Sequence, residues 1–314
     1  MAPKEKKQEE ANAQSAPPVL SPEGRIEAER AYRAARAAER NVKLGKAAVW
    51  LALVLGSIVF MLPYYIMVTM ALKDANEVAT TDMWAWPRNL TFANFAEVWT
   101  NENVSFLRLL QNTAAITVLT TIGVTVSSGV VAYAFARLNF AGRDRLFLVL
   151  LGTMMLPGIV TMIPSYVMFA KIGWVNTWLP LIVPAFFGSA FFIFLLRQFY
   201  LGIPRELDEA ALIDGANHWT IFSRIVVPNS GPALATVALF TFMGTWRDFM
   251  GPLLYLNDPD RQTLEIGLRT FMALRAEKWH LMMTASLIVT IPLIIIFFVG
   301  QRYFVKVSLM TGLK

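Results

Sequence analysis

The sequence predicts an all-α membrane protein with six transmembrane helices, and three observations carry that expectation. Of its 314 residues, 56% are hydrophobic and 16% charged, against about 45–50% and about 25% in an average soluble domain. The apolar surplus is gathered into uncharged runs, each close to the roughly 20 residues that cross a hydrocarbon core about 30 Å thick. The basic residues are divided unevenly between the segments that join those runs, as they are when one membrane face is cytoplasmic. Such a balance excludes a soluble two-domain enzyme. Zero cysteines remove disulfide frameworks, thiolate zinc sites and cysteine nucleophiles.

Residues 1–46 read as a polar cytoplasmic tail. Its first part, with Pro17 and Pro18, lacks the apolar content needed to order itself, and Gly24 to Arg40 reads as a short surface helix. The tail holds 10 of the 28 basic residues beside 7 acidic ones, which suits anchoring charge better than a nucleic-acid surface. The first apolar run is too long for a signal-peptide core of about 7–15 residues and is expected to stay as a membrane helix.

From there, residues 47–314 read as a single membrane domain. The expected spans are Ala47 to Leu72, Asn112 to Ala136, Leu146 to Ala170, Trp174 to Leu196, Asn229 to Trp246 and Leu281 to Gln301. Pro157 and Pro164 predict kinks in the third, Pro180 and Pro184 in the fourth. Arg247 and Asp248 interrupt the apolar stretch that continues to Tyr255, so these two charges are expected toward one membrane face. With the N-terminus inside, nineteen basic residues fall on the cytoplasmic side and eight on the other, which places both termini in the cytoplasm.

The loop 198–230 carries the most specific pattern. Pro204 suits a helix start, Glu206, Asp208 and Glu209 suit its positive end, and Gly215 suits a left-handed C-terminal cap. Asn217 can cap a second helix that Pro228 closes. Two short helices joined by a glycine bend, held between two spans, can pass a push from a partner to the bundle. They can also be an amphipathic pair lying at the membrane surface.

Glu209-Ala210-Ala211, three residues, Gly215, nine residues, then Ile225-Val226-Val227-Pro228 resembles the EAA loop of ABC importer permeases. Only the Leu of that pattern is changed, to Val227. Trp86 to Phe95, in the first outer loop, is similar to the "P, L-T, N-F" segment of sugar-importer permeases. Gly244 to Phe249 and Leu256 to Pro259 are similar to the "W-N-D-F" and "L-N-D-P" segments of the MalG-like subunit, with Arg247 where that family often has Asn.

The resemblance implies the type I importer permease fold (MetI/MalG-like) and a set of partners. These are a MalF-like second permease, two copies of a cytoplasmic ATPase that carries the ATP and Mg, and an extracytoplasmic solute-binding protein. A sugar is the implied substrate, with polyols or glycerol-3-phosphate as alternatives; lipid surrounds the spans, and no nucleic acid is involved. It also implies that Glu209, Ala210, Ala211, Asp214, Gly215, Ile225 and Pro228 couple the chain to the ATPase in a prokaryotic inner membrane. The sequence contains no phosphate-binding G-x-x-x-x-G-K-[ST] loop, so this chain is expected to bind no cofactor and to be no enzyme itself.

Candidate substrate-path residues are Thr117, Thr121, Trp246, Arg247 and Asp248. Thr113, Thr117, Thr121, Thr125 and Ser128 recur at helical spacing, as a packing seam or as a hydroxyl-lined wall. Trp246 can offer a ring face and Asp248 an acceptor to a sugar, or they can serve an interfacial belt and a local ion pair. Arg247 would suit a phosphate or acid if it faced the path. Against a channel or ion-coupled transporter, five of the six expected spans hold no Asp, Glu, Lys, Arg or His. Against an intramembrane enzyme, the chain has neither H-E-x-x-H nor G-x-S-x-G.

Overall fold

The computed structural model describes residues 21–100, 105–274 and 278–311, which are helical with no strand among them. The expected disordered start of the tail lies outside the described residues. The chain divides into two units, residues 1–65 and 66–314. Four helices are long and apolar enough to cross a membrane, or six if each of two bent pairs counts as one crossing.

The first correction concerns the tail. Pro22–Ala71 is one helix of 50 residues, where the sequence suggested a surface helix and a separate first span. Asn41 to Lys46 contains no proline, and its Lys and Leu residues are good helix formers, so the helix runs through the polar–apolar boundary.

In the second unit, the 32-residue helix Phe106–Arg137 is the central post. Against it pack Ala190–Leu201, Gly231–Trp246 and the amphipathic Leu264–Leu274. One apolar core joins Tyr133, Tyr200, Phe222 and Val237. A second joins Leu109, Trp246, Leu264 and Leu281. Close approach needs a small residue at Gly123, where an added Cβ would stand 2.8 Å from the Phe186 ring.

Two expected spans are broken rather than gently kinked. Leu146 to Ala170 becomes Arg143–Thr153 and Gly158–Lys171, bent by 96°. Pro157 sits at the bend, where a proline helps to end the helix before it, whereas Pro164 lies inside the second piece, which continues past it although one helical hydrogen bond is lost there. Trp174 to Leu196 starts as a helix only at Leu179, passes through a 3₁₀ turn Val183–Phe187, and resumes at Ala190.

The second break accounts for one residue of the hydroxyl seam, Ser128, and for two hydroxyls beside it, Thr120 and Ser127. Backbone groups freed inside a membrane must find partners in the protein, and the Phe106–Arg137 helix supplies them. Ser128 Oγ accepts from the Ser189 amide at 3.1 Å, and Ser127 Oγ donates to the Ala185 carbonyl at 3.0 Å. Thr120 Oγ1 donates to the Leu181 carbonyl at 3.3 Å.

The segment with the L-T and N-F signature is tied down by its asparagine. Buried Asn94 donates to the Ala71 and Lys73 carbonyls, both at 2.8 Å. Beside it, buried Lys73 donates to the Asp82 carbonyl at 2.9 Å and Glu77 accepts from the Arg88 amide at 2.6 Å. Replacing Asn94 by Ala removes the amide donor from both carbonyls, leaving Ala71 with the Thr284 hydroxyl at 3.4 Å and costing about 1–3 kcal/mol for the Lys73 carbonyl. We expect Asn94→Ala to lower the melting temperature of the detergent-purified protein by several degrees. An unchanged melting curve would refute this role.

Candidate functional site

The loop with the EAA pattern folds as two short helices. Glu206–Ile213 starts after Arg205, two residues later than Pro204 suggested, and carries Glu206, Asp208 and Glu209 in its first turn. Gly215 has φ 81°. Its amide donates to the Leu212 carbonyl at 3.0 Å while the Ala216 amide donates to the Ala211 carbonyl at 2.9 Å, the reversal that a left-handed residue makes possible. Asn217 then caps the second helix, its side-chain oxygen accepting from the Thr220 amide at 2.8 Å.

That second helix widens into a π-helical turn, Phe222–Val226, before Val227–Asn229. The Val227 amide bonds the Phe222 carbonyl, five residues back. In a regular α-turn, the ring of Pro228 would press on the carbonyl four residues before it. The wider turn relieves that pressure, so Pro228 is held inside the final turn and the helix ends at Ser230.

The Glu209-Ala210-Ala211 triplet is divided between two surroundings. Ala211, Ala216, Ile225 and Val227 pack against the Tyr133–Tyr200–Phe222 core, whereas Glu209, Ala210, Asp214 and Pro228 are exposed. Leu207, Leu212, Ile213 and Trp219 are exposed too, Ile213 by 87%. The loop therefore shows an outward face of large apolar side chains among carboxylates.

One residue outside the predicted set holds this loop, and a second braces the helix that leads into it. The Arg137 guanidinium, 3% exposed, stands 3.3 Å from the Asp208 carboxylate. It also donates to the Tyr200 and Ile203 carbonyls, each at 2.6 Å. Arg197 crosses in the opposite direction, donating to the Phe135 carbonyl at 3.3 Å and lying 4.2 Å from the Phe147 ring centre. Counted from the sequence as a loop-flanking charge, Arg137 gave no sign of this, because its partners lie more than 60 residues away.

A second candidate site is a cavity of about 130 Å³ lined by Thr113, Thr117, Thr120, Thr245, Thr263 and Asp248, with apolar neighbours. The buried hydroxyls of Thr117 and Thr263 have no protein partner there. Asp248 accepts from the Gly251 amide at 3.1 Å. Its rim is fixed by Thr113, which accepts from the Leu264 amide at 2.8 Å.

Of the five path residues read from the sequence, the structure brings Thr117 and Asp248 together and not the other three. The Thr121 hydroxyl is buried without a protein partner, but Thr121 is not among the residues lining this cavity. Trp246, 3% exposed, belongs to the second core. Its indole N–H donates to the Val289 carbonyl at 3.2 Å and its ring stacks 5.5 Å from Phe242. Arg247 is exposed and its field acts on Glu265, whose carboxyl is raised by burial and drawn back down by Arg247 and Arg269.

The loop with the L-N-D-P signature is held by a residue that sequence reasoning passed over. Asn176, at φ 63°, accepts from the Asn257 and Asp258 amides at 3.2 and 2.9 Å. Arg108 pairs with Asp260, and Asn112 donates to the Asp260 and Gln262 carbonyls at 2.9 and 2.8 Å. An asparagine at the start of the fourth run, tolerant of the left-handed region, was the one available signal. Among the described residues no group of three potential ligands could hold a metal.

The family model for the binding-protein-dependent transport system inner membrane component matches residues 125–307. The "Probable ABC transporter permease protein YurM" of Bacillus subtilis is 31% identical over 268 residues, covering 85% of this chain and 88% of that protein. The "Arabinooligosaccharides transport system permease protein AraQ" of Halalkalibacterium halodurans is 32% identical over 228 residues, 73% of this chain and 81% of that one. A chain from the crystal structure of a bacterial ABC transporter that imports the acidic polysaccharide alginate has a similar fold, with TM-score 0.72 at 21% identity, over 92% of this chain and 100% of that chain. Long apolar helices, a helix–glycine–helix loop braced against them and matches over most of the length agree: the chain belongs to the carbohydrate-type ABC permease family of binding-protein-dependent transport inner membrane components, as a multi-pass transporter subunit and not an enzyme.

Proposed function

We propose that the chain is the MalG-like half of an ATP-driven sugar importer, with six crossings and both termini in the cytoplasm. The Glu206–Ile213 helix then seats in the ATPase, with Glu209, Ala210, Ala211, Asp214 and Gly215 forming the contact segment and Ile225 and Pro228 shaping the second helix. The observation that carries this reading is the loop's outward face, where Ala210 leaves room for close approach between exposed Leu207 and Ile213. The remaining partners are a MalF-like permease, a second ATPase copy and an extracytoplasmic solute-binding protein, with ATP and Mg held by the ATPases.

A neutral polyhydroxylated solute suits the Thr117–Asp248 cavity better than an anion does, since Asp248 would repel a phosphate. Arg247, a phosphate partner in principle, is exposed and does not line that cavity. That favours sugars over glycerol-3-phosphate.

Ala210→Glu tests the coupling, and it is cleaner than a charge at half-buried Ala211. Both membrane insertion and pairing with the second permease should persist. The ATPase should be lost from the complex purified in mild detergent, and uptake should fall to background. Normal uptake by Ala210→Glu with the ATPase still bound would sink the coupling reading.

A further inference from the structure

We infer that Arg137 and Asp208 form the mechanical joint through which the coupling helix moves the membrane helices. The inference rests on the coupling role proposed above and assigns it a positioning pair. Arg137 ends the Phe106–Arg137 helix, the post against which Ala190–Leu201, Gly231–Trp246 and Leu264–Leu274 pack. From there its guanidinium reaches the Tyr200 carbonyl in the last turn of Ala190–Leu201, the Ile203 carbonyl just beyond that helix and the first turn of Glu206–Ile213 at once.

Each of the three contacts has a physical reason. The Tyr200 carbonyl lies in the last turn of a helix and the Ile203 carbonyl two residues past its end, where the helix carries partial negative charge that attracts a cation. Asp208 lies in the first turn of the next helix, where a carboxylate is favoured. A planar guanidinium presents several fixed donors and can serve all three acceptors together, which an ammonium cannot do in the same geometry. The two chain segments that meet at this bend are therefore fastened to a third by one side chain.

Burial distinguishes this pair from the surface ones. Arg137 and Asp208 side chains are 3% and 15% exposed, whereas those of Lys278 and Glu97 are 46% and 44% exposed. The neighbouring residues Glu209 and Ala210 are exposed, so a partner pressing on them acts on a helix whose first turn is fastened inside. Without the joint, the same push would bend the glycine-containing loop and leave the long helices where they are.

The test uses the importer purified with its ATPase and partner permease and reconstituted in vesicles, measuring solute imported per ATP hydrolysed. Asp208→Asn keeps the shape and removes the charge. We expect assembly and ATP hydrolysis to persist while import per ATP falls about fivefold, a typical effect of mutations on coupling. Arg137→Gln should do the same, and the double variant should be no worse than the poorer single, as for two groups acting as one unit.

Two results overturn the inference. One is normal import per ATP in Asp208→Asn. The other is a loss of import proportional to a loss of assembled complex, with the ratio unchanged, which would make the pair a fold element only. If Ala210→Glu sheds the ATPase and loses uptake as predicted, either result removes the joint and leaves the coupling helix standing. An Ala210→Glu complex that imports normally removes both.

Discussion

Gly215→Pro is expected to abolish uptake while leaving the protein in the membrane. The bend at Gly215 has φ 81°, whereas the proline ring holds φ near about −65°. Proline would also delete the amide that donates to the Leu212 carbonyl at 3.0 Å. Both losses fall on an exposed turn, so the long apolar helices have no reason to leave the bilayer. The two short helices would instead separate, taking Ala211 and Ala216 off the core against which they pack. Space is not the obstacle, since an added Cβ at Gly215 meets no atom within 4 Å. Backbone conformation is the obstacle, and that predicts a ranking. Gly215→Asn should retain most uptake, because Asn enters the left-handed region readily. Gly215→Ala should lose part of it, at a cost of about 1–2 kcal/mol, and Gly215→Pro should lose all of it. Uptake normalised to the amount of each variant in the membrane reads this order directly. Equal uptake by all three would show that the bend plays no part in transport.

Why Gly215 was legible and Arg137 was not is a matter of range. Gly215 acts on its own backbone, and so do Asn217 as a cap and the carboxylates of the first turn. Their roles follow from position in a local pattern. The same holds for the long apolar runs, whose existence composition fixes and whose continuity it does not. Pro157 is a break and Pro164 is not, and both were expected as kinks, because what decides is whether neighbours can satisfy the freed backbone. Ser127 and Ser128 do so for the break near Gly188, and nothing in the local sequence shows which helix they face. The helix Pro22–Ala71 erred in the other direction, since a change from polar to apolar side chains leaves the backbone ladder intact.

The candidate site divides along the same line. Asn94 and Asn176 lie in or near loop segments, and their importance comes from carbonyls and amides up to about 80 residues away in the chain. The threonine spacing was visible, but spacing could not say that Thr120 serves the Leu181 backbone while Thr117 opens on a cavity. Asp248 joins Thr117 only because the chain turns back after Trp246. A short polar step in an apolar run fixes where a turn begins and leaves open what the turned residues meet.

Trp246 gives the sharpest separation between a path residue and a core residue. Trp246→Ala is expected to cost about 3–5 kcal/mol, the usual penalty for emptying a large aromatic site. It would leave a hole beside Phe242, Leu264 and Leu281 and take a donor from the Val289 carbonyl. The N–H missing at Pro292 is the one that would serve the carbonyl of Ile288, so the bond from Trp246 to the next carbonyl, Val289, braces the helix beside the position that proline weakens. The expected reading is a much reduced yield of folded protein and a lowered melting temperature. Trp246→Leu restores apolar volume and no ring face. For a core residue, Leu should recover part of the stability, and the protein that folds should import with an unchanged KM. For a residue that stacks on a sugar, both variants should fold normally and both should raise KM, because neither offers an aromatic surface. Buried ring, stacked neighbour and backbone hydrogen bond all favour the first outcome. A raised KM with an unchanged melting temperature in Trp246→Leu would return Trp246 to the solute path.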